Sequence, residues 1–532
     1  MRAAANLTRE GPKEQGMRHF FSYSPSTGNI EAMVQSNAVL PGWRAVTAGG
    51  LTSLLLAATM GYGQGGSTGA TSSGEAQATE GALRQLAAPG GVNLSAPAQG
   101  SFGGSLVEGK ATDGVLDLSM DDAIARGLRQ NLGLILQTTA QQNAHGEQLE
   151  RLQALLPTVT GNASIEAEQI DLAAFGLKFP GLNPIIGPFQ VEDFRAYLTQ
   201  SLVNVPALEN YIAAKHNFAA AKLSADDARE MVVLTVGNAY LLCIADAARI
   251  TAVTADLATA KLSLDQATAS HDAGVSPRLD VLRAQVDYQN EQQALISTTN
   301  QLAKDKLSLA RAIGLPLDQV YRLTDTEPYT ALDNLDPAAA FAQALKNRKD
   351  LAASSEQLAA ARAGQTAAHT DQLPTVQFSG DFGDIGQTAG HSHGSYSATG
   401  SVSAPVLQVA KTRGEEDVAD AQVEQSRDKL ADQVQQINAE IRDSILDIQS
   451  AAKLVEAAKS NVDLATEALS EAQQRFQAGV SDNLPVSQAQ SSMEQANDQY
   501  IAALYQHNAA KLSLARALGV AQTNLKDYLG GK

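Results

Sequence analysis

The chain of 532 residues is 44% hydrophobic but only 5% aromatic, with one cysteine and a formal net charge of −18. That acidic balance argues against a nucleic-acid partner, because neutralising phosphates takes clustered Lys and Arg, and Cys243 alone allows neither an intramolecular disulfide nor a cysteine-based zinc site. Few aromatics and long alanine-rich tracts point to elongated helical packing rather than several compact cores, and the body has no run of 18 or more apolar residues to span a membrane as a helix.

In chain order, residues 1–63 read as an N-terminal extension and signal peptide. Trp43 and Arg44 precede the apolar run Ala45 to Met60, with cleavage expected near Gly63. A short membrane anchor is the competing reading of that run. Residues 64–116, rich in Gly, Ser, Ala and Gln, read as a disordered low-complexity linker. The folded body is expected from Asp117.

That body is a duplication. The ten residues Lys306 to Leu315 recur as Lys511 to Val520 with eight identities, 205 positions on. Ala273-Gly274-Val275-Ser276 recurs at the same offset as Ala478-Gly479-Val480-Ser481. Leu156 to Val159 recurs as Leu373 to Val376, 217 positions on, so copy one carries an insertion, expected within the Gly/Pro-rich stretch Phe175 to Pro188. The repeats span 117–313 and 338–520, joined by an inter-repeat connection at 314–337 and followed by a C-terminal tail at 521–532.

Each copy opens with a helical stretch, about 123–156 and 338–371. Four short segments of period 2 come next: Val159, Gly161, Ala163 and Ile165 on one face; then Phe194, Ala196, Leu198 and Leu202; in copy two Val376, Phe378, Gly380 and Phe382; then Tyr396, Ala398, Gly400 and Val402. Each has one apolar and one polar face, as a membrane-spanning barrel strand requires, although a soluble hairpin lying on helices has the same alternation. Long helices are expected over about 208–272 and 409–477. Their apolar residues (Ile250, Val253, Leu257, Ala260, Leu264, Ala267) alternate in steps of three and four, a heptad seam with small residues that permit close approach. After a turn the seam is expected to continue through Leu282, Val286, Gln289, Gln293, Ile296, Asn300, Ala303, Leu307 and Ala310. At 1.5 Å per residue each long helix measures about 100 Å, the length of two short ones stacked end to end. Four strands cannot close a barrel and an open edge is forbidden in lipid, so a spanning chain must oligomerise.

This duplicated order of short helix, hairpin, long helix, Ala-Gly-Val-Ser turn and Lys-Leu-Ser-Leu-Ala-Arg-Ala ending resembles the TolC-like outer-membrane efflux protein family over about 117–525. The resemblance implies a mainly α fold with a small β part: a coiled-coil helical tunnel in the periplasm, and four strands per chain in a trimeric 12-stranded barrel crossing the outer membrane. It implies a passive exit duct of a tripartite efflux pump or type I secretion system, a homotrimer docked to a periplasmic adaptor and an inner-membrane transporter. By the same resemblance Gly274, Val275, Ser276, Leu279, Gly479, Val480, Ser481 and Leu484 form periplasmic tips that meet the adaptor. Gly supplies the left-handed exit of each ascending helix, and Ser is expected to cap the next, with Pro277 at its first position. Some members narrow the tunnel with an aspartate ring after the second tip; here Pro485 and Gln488 stand there. Asp280 and Asp482 are the remaining acidic candidates for a constriction, and helix-start carboxylates facing the dipole explain them equally well. No enzyme, cofactor or metal is expected. His391 and His393 lie in the Gly/Ser-rich stretch between the last two strands with no third ligand placed, and Cys243 reads as a packed core thiol. The rival to a duct is a periplasmic or surface coiled-coil scaffold without a pore.

Overall fold

Alanine-rich heptads and period-2 segments separate cleanly along the chain, and so do the elements they form. In the computed structural model residues 100–529 are described, apart from 178, 182, 327, 328, 333 and 334. The stretch read as a signal peptide and most of the expected linker lie outside the described residues. Copy one runs β1 (Leu116–Leu118), α1 (Met120–Gln130), α2 (Leu132–Gln153), β2 (Thr158–Asp171), β3 (Ile185–Val203), α3 (Val205–Asp272) and α4 (Arg278–Ile313). The connection holds β4 (Tyr321–Leu323), which pairs in parallel with β1. Copy two follows with α5 (Pro337–Asn347), α6 (Lys349–His369), β5 (Thr375–Gly386), β6 (Ser392–Ser403), α7 (Val409–Gln477), α8 (Leu484–Ala517) and a closing α9 (Ala521–Leu529).

Four differences from the sequence expectations have physical causes. First, the opening helix of each copy is broken in two, at Asn131 and at Arg348, the equivalent residue 217 positions on. Both take an extended ψ (126° and 119°) held by side-chain bonds. Asn131 accepts from Gly133 N and donates to Phe102 O at 2.6 Å, whereas Arg348 is gripped by Asp350 and Glu440. Second, residues 100–116 are ordered rather than linker. Phe102 lies over Gly133, where any Cβ would sit 2.5 Å from its ring, and Leu106 N donates to Gln130 O. One aromatic anchor and a few backbone bonds suffice. Third, residues 521–529 are a helix and not a free tail, because Ala521 and Leu529 are buried in the core. Fourth, the extra length of copy one does fall between β2 and β3, but much of it lengthens the strands themselves.

The core sits halfway along α3, where all the helical lines meet. Val232, Val236, Tyr240 and Cys243 of α3 pack with Leu118, Leu309 and Ile313, while Val233, Leu241 and Ala245 face Ile501, Tyr505 and Leu512 of α8. The most apolar window of α3 is long enough to cross a membrane, but most of it is buried inside the chain, as befits a core helix. Burial pushes the Cys243 thiol far above its ordinary value, so it stays protonated packing material. On one side of this core α3 lies between α2 and α6, with α7 beyond α6; on the other it lies between α4 and α8, with α7 beyond α8. The result is a curtain four helices wide with α3 and α7 running its full length.

Within that curtain the heptad seams differ in fate. Val253, Ala260 and Ala267, seven apart on α3, are buried, as are Val455, Ala458 and Ala472 on α7. The α4 stripe expected to continue the seam is exposed instead from Leu282 to Leu307, and only Ala310 is buried. The reason is position. Helix α4 packs along α3 on one flank and, among the described residues, has no helix along the other, so its apolar stripe points off the edge of the chain.

Candidate functional site

Four strands form one antiparallel sheet in the order β2-β3-β5-β6. Their register joins like residues across the sheet. One row reads Val159–Leu198–Gly380–Ala398 and the next Gly161–Ala196–Phe382–Tyr396, with Val376 opposite Val402 nearer the helices. One residue along, on the other face, the rows read Thr158–Thr199–Ser379–Thr399 and Thr160–Tyr197–Asp381–Ser397. Four separately amphipathic strands therefore make one apolar sheet face and one polar face, because side chains alternate with a strict period of two. The apolar face is bare: Phe382, Tyr396 and Val402 are 73%, 80% and 71% exposed. Ten strand residues at about 3.4 Å each, if tilted by about 40° as in a membrane-spanning barrel, would give an apolar band roughly 25 Å tall, the thickness barrels of that kind present to lipid. Strands β2 and β6 are the outer edges.

On the polar face one charged network crosses the strands. Arg195 Nε donates to Asp193 Oδ1 (2.7 Å) and Nη1 to Asp381 Oδ1 (2.9 Å), a second Asp193 contact makes that pair bidentate, and Ser397 donates to Asp381. The guanidinium also lies 5.4 Å from the Tyr197 ring centroid. Gly383, paired with Arg195, makes room: a Cβ there would fall 2.7 Å from Arg195 Cα and 2.1 Å from Phe194 O. Sequence reasoning missed this network. The signal available was a single arginine among strands otherwise supplied only with carboxylates and His393. His393 itself lies in β6, opposite Ile385, and not in a loop, and no metal-sized group of His, Cys, Asp or Glu occurs among the described residues.

At the far end of the curtain the two turns share one geometry. Gly274 and Gly479 have φ of +74° and +68°. Gly274 N donates to His271 O and Val275 N to Ser270 O; Gly479 and Val480 repeat this with Phe476 and Arg475. These are Schellman closures, for which the left-handed residue must lack a Cβ. Val275 (75%), Val480 (72%), Leu279 and Leu484 are exposed. The serines do not cap as expected. Helix α4 starts one residue later, with Pro277 at its N-cap and no side-chain cap bond, and α8 has Asn483 there with none either. The Ser276 and Ser481 hydroxyls and Asn483 Oδ1 are enclosed without a hydrogen-bond partner. Of the constriction candidates, Asp280 is buried with Arg283 3.8 Å away, whereas Asp482 and the uncharged Gln488 are exposed.

Between tips and core, carboxylates from three helices converge: Asp256 of α3, Asp287 and Glu291 of α4, Glu494 and Asp498 of α8, with Arg249 bonding Asp498 at 2.8 Å. Burial, then repulsion from Glu494 and its neighbours, lifts Glu291 to about 7 and Asp256 to about 6. A carboxylate whose folded value is raised binds more protons folded than unfolded, so stability falls as pH rises from about 4 to 7. Glu291→Gln is therefore expected to stabilise the fold at pH 8 by about 1 kcal/mol once partial exposure is discounted, raising the thermal midpoint there, and to change little at pH 4. Thermal unfolding followed by circular dichroism at both pH values checks this; an equal effect at both would mean that the charge is not the cause.

Comparison with known proteins gives a consistent picture. A family model described as outer membrane efflux protein matches residues 135–315 and 340–520. A toluene efflux pump outer membrane protein, TtgI of Pseudomonas putida, is 26% identical over 375 residues, 68% of this chain and 77% of its own length. A pyoverdine export outer membrane protein, OpmQ of the same species, is 25% identical over 298 residues, 55% of this chain and 63% of its own length. Among solved structures, a membrane protein from Pseudomonas aeruginosa superposes with a TM-score of 0.69 at 19% identity, covering 81% of this chain and 99% of that one. The CmeC outer membrane channel of Campylobacter jejuni does so with 0.68 at 14% identity, covering 82% and 98%. At these identities the structures speak for the fold.

Proposed function

Since the chain belongs to the outer membrane efflux protein family, acting in outer-membrane efflux, we propose that three copies close into one duct, a 12-stranded barrel in the outer membrane continued by a helical tunnel in the periplasm. One observation carries this. Sheet and helical curtain are open along the same two edges, β2 with α2 and α4 on one side, β6 and α7 on the other. Exposed apolar residues line both: Leu282, Val286 and Ile296 of α4, and Val418, Leu446 and Leu464 of α7. A curtain of this kind buries its edges only against another copy, and in lipid β2 must find a β6. Three copies supply the twelve strands of a barrel with a water-filled lumen; two would supply about eight, which side chains fill.

The duct is passive, with energy supplied by an inner-membrane transporter through a periplasmic adaptor. Gly274, Val275, Ser276, Leu279 and their counterparts Gly479, Val480, Ser481 and Leu484 are the adaptor's landing points. Exposed valines beside enclosed, unpartnered serine hydroxyls suit a surface that a partner completes. The relatives' cargoes, pyoverdine and toluene, suggest small organic molecules as cargo here. Light scattering of the membrane-extracted particle tests the assembly: a detergent-requiring particle of three chains is expected. A monomer that stays soluble without detergent would favour a poreless scaffold and sink the duct.

A further inference from the structure

Resting on that duct reading, we infer that the barrel lumen, and not the periplasmic tip, sets the ion preference of the channel, through the Arg195–Asp193–Asp381 network on the polar sheet face. At the tips, Asp280 is buried beside Arg283 and Gln488 is uncharged, so of the constriction candidates Asp482 alone presents an exposed carboxylate. The polar sheet face is charged and fixed. Glu166, Glu168, Asp193 and Asp381 lie on it by register, against Arg195 and His393. Three strands hold the arginine: Asp193 beside it on β3, Asp381 on β5, and Ser397 on β6 bonded to Asp381. Gly383 lets the backbones approach closely enough for that reach.

Each protomer's network thus carries two carboxylates and one guanidinium, a net of one negative charge held rigidly at a fixed height. Threefold repetition makes a ring that favours cations and opposes anionic solutes. The arginine moderates it. Without Arg195 the two carboxylates would stand unneutralised and the ring would bind cations tightly enough to slow their exit. A unit charge about 10 Å from a passing ion in water changes the ion's local population by about twofold.

The test uses the full protein reconstituted in planar bilayers, with the reversal potential read across a potassium chloride gradient. Wild type is expected to prefer potassium. Arg195→Gln should raise the potassium-to-chloride ratio by at least about fourfold, because each charge moves potassium and chloride in opposite directions, and the double variant Asp193→Asn with Asp381→Asn should lower it by more than that factor. Arg195→Lys keeps the charge while losing the bidentate geometry, so its ratio should match wild type; this separates charge from folding. Asp482→Asn, at the tip, should leave the ratio unchanged. Conducting trimers whose reversal potentials ignore the Arg195 and Asp193/Asp381 variants, or that shift with Asp482→Asn as strongly as with the double variant, would overturn the inference alone. No conductance from wild type would overturn the duct and this inference with it.

Discussion

The double variant Phe382→Arg with Tyr396→Arg is expected to abolish assembly in the outer membrane, whereas Ser379→Arg is expected to be tolerated. Phe382 and Tyr396 are cross-strand partners at the centre of the bare apolar face, and Ser379 lies three residues from Phe382 on the opposite face. A lipid-facing Arg near the bilayer midplane costs about 2–4 kcal/mol, so two per chain repeated in three chains exceed the stability of an ordinary domain. On the polar face the same charge meets water. Heat-modifiable trimer recovered from the outer-membrane fraction gives the readout. Equal recovery of both variants would mean that the apolar face does not meet lipid, and the barrel assignment would fall. A soluble hairpin lying on the helices, the alternative open from sequence, predicts that equality.

Gly237→Val should be strongly destabilising in the helical part. Gly237 lies on α3 at mid-length, and a Cβ there would stand 2.6 Å from Leu512 Cδ2 of α8. Leu512 is fully buried, packed with Val233, Leu241 and Ala245 of α3, so it has nowhere to retreat. Overpacking of this kind costs about 1–3 kcal/mol, and the contact would recur in every copy of the proposed trimer. Gly237→Ala should show the same sign more weakly and be partly rescued by Leu512→Ala, because the two side chains compete for one volume. Denaturant midpoints of wild type, the two single variants and the double variant test the coupling. Strict additivity would mean that the helices separate freely at this point.

Some of this was legible in one sequence because duplication doubled every signal. The Ala-Gly-Val-Ser turns, the matching long helices and the four alternating strands follow from local physics: a left-handed glycine, a heptad and a period of two. The broken opening helices were not legible. An asparagine and an arginine stand at equivalent positions for different reasons, one bonding Phe102 O and one paired with Glu440, and both partners are distant in sequence. Nor was the pair of lysines at Lys306 and Lys511. These repeat-equivalent residues reach carbonyls of the same connection, at Tyr321 and Thr330, and so tie both copies to one belt.

The sequence by itself determined the kinds of elements, their order and which face of each is apolar, since these depend on spacing within some ten residues. Tertiary structure decided which apolar stripes are spent inside the chain and which stay exposed on it. The α3 seam and the α4 stripe look alike as patterns, yet Val253, Ala260 and Ala267 are buried while Leu282, Val286 and Ile296 face outward. What separates them is that α3 has neighbours on both flanks and α4 on one. Register decided the rest. A slip of one residue between β3 and β5 would have put Phe382 beside Tyr197 and broken the apolar face, and no single strand carries the information that fixes its partner.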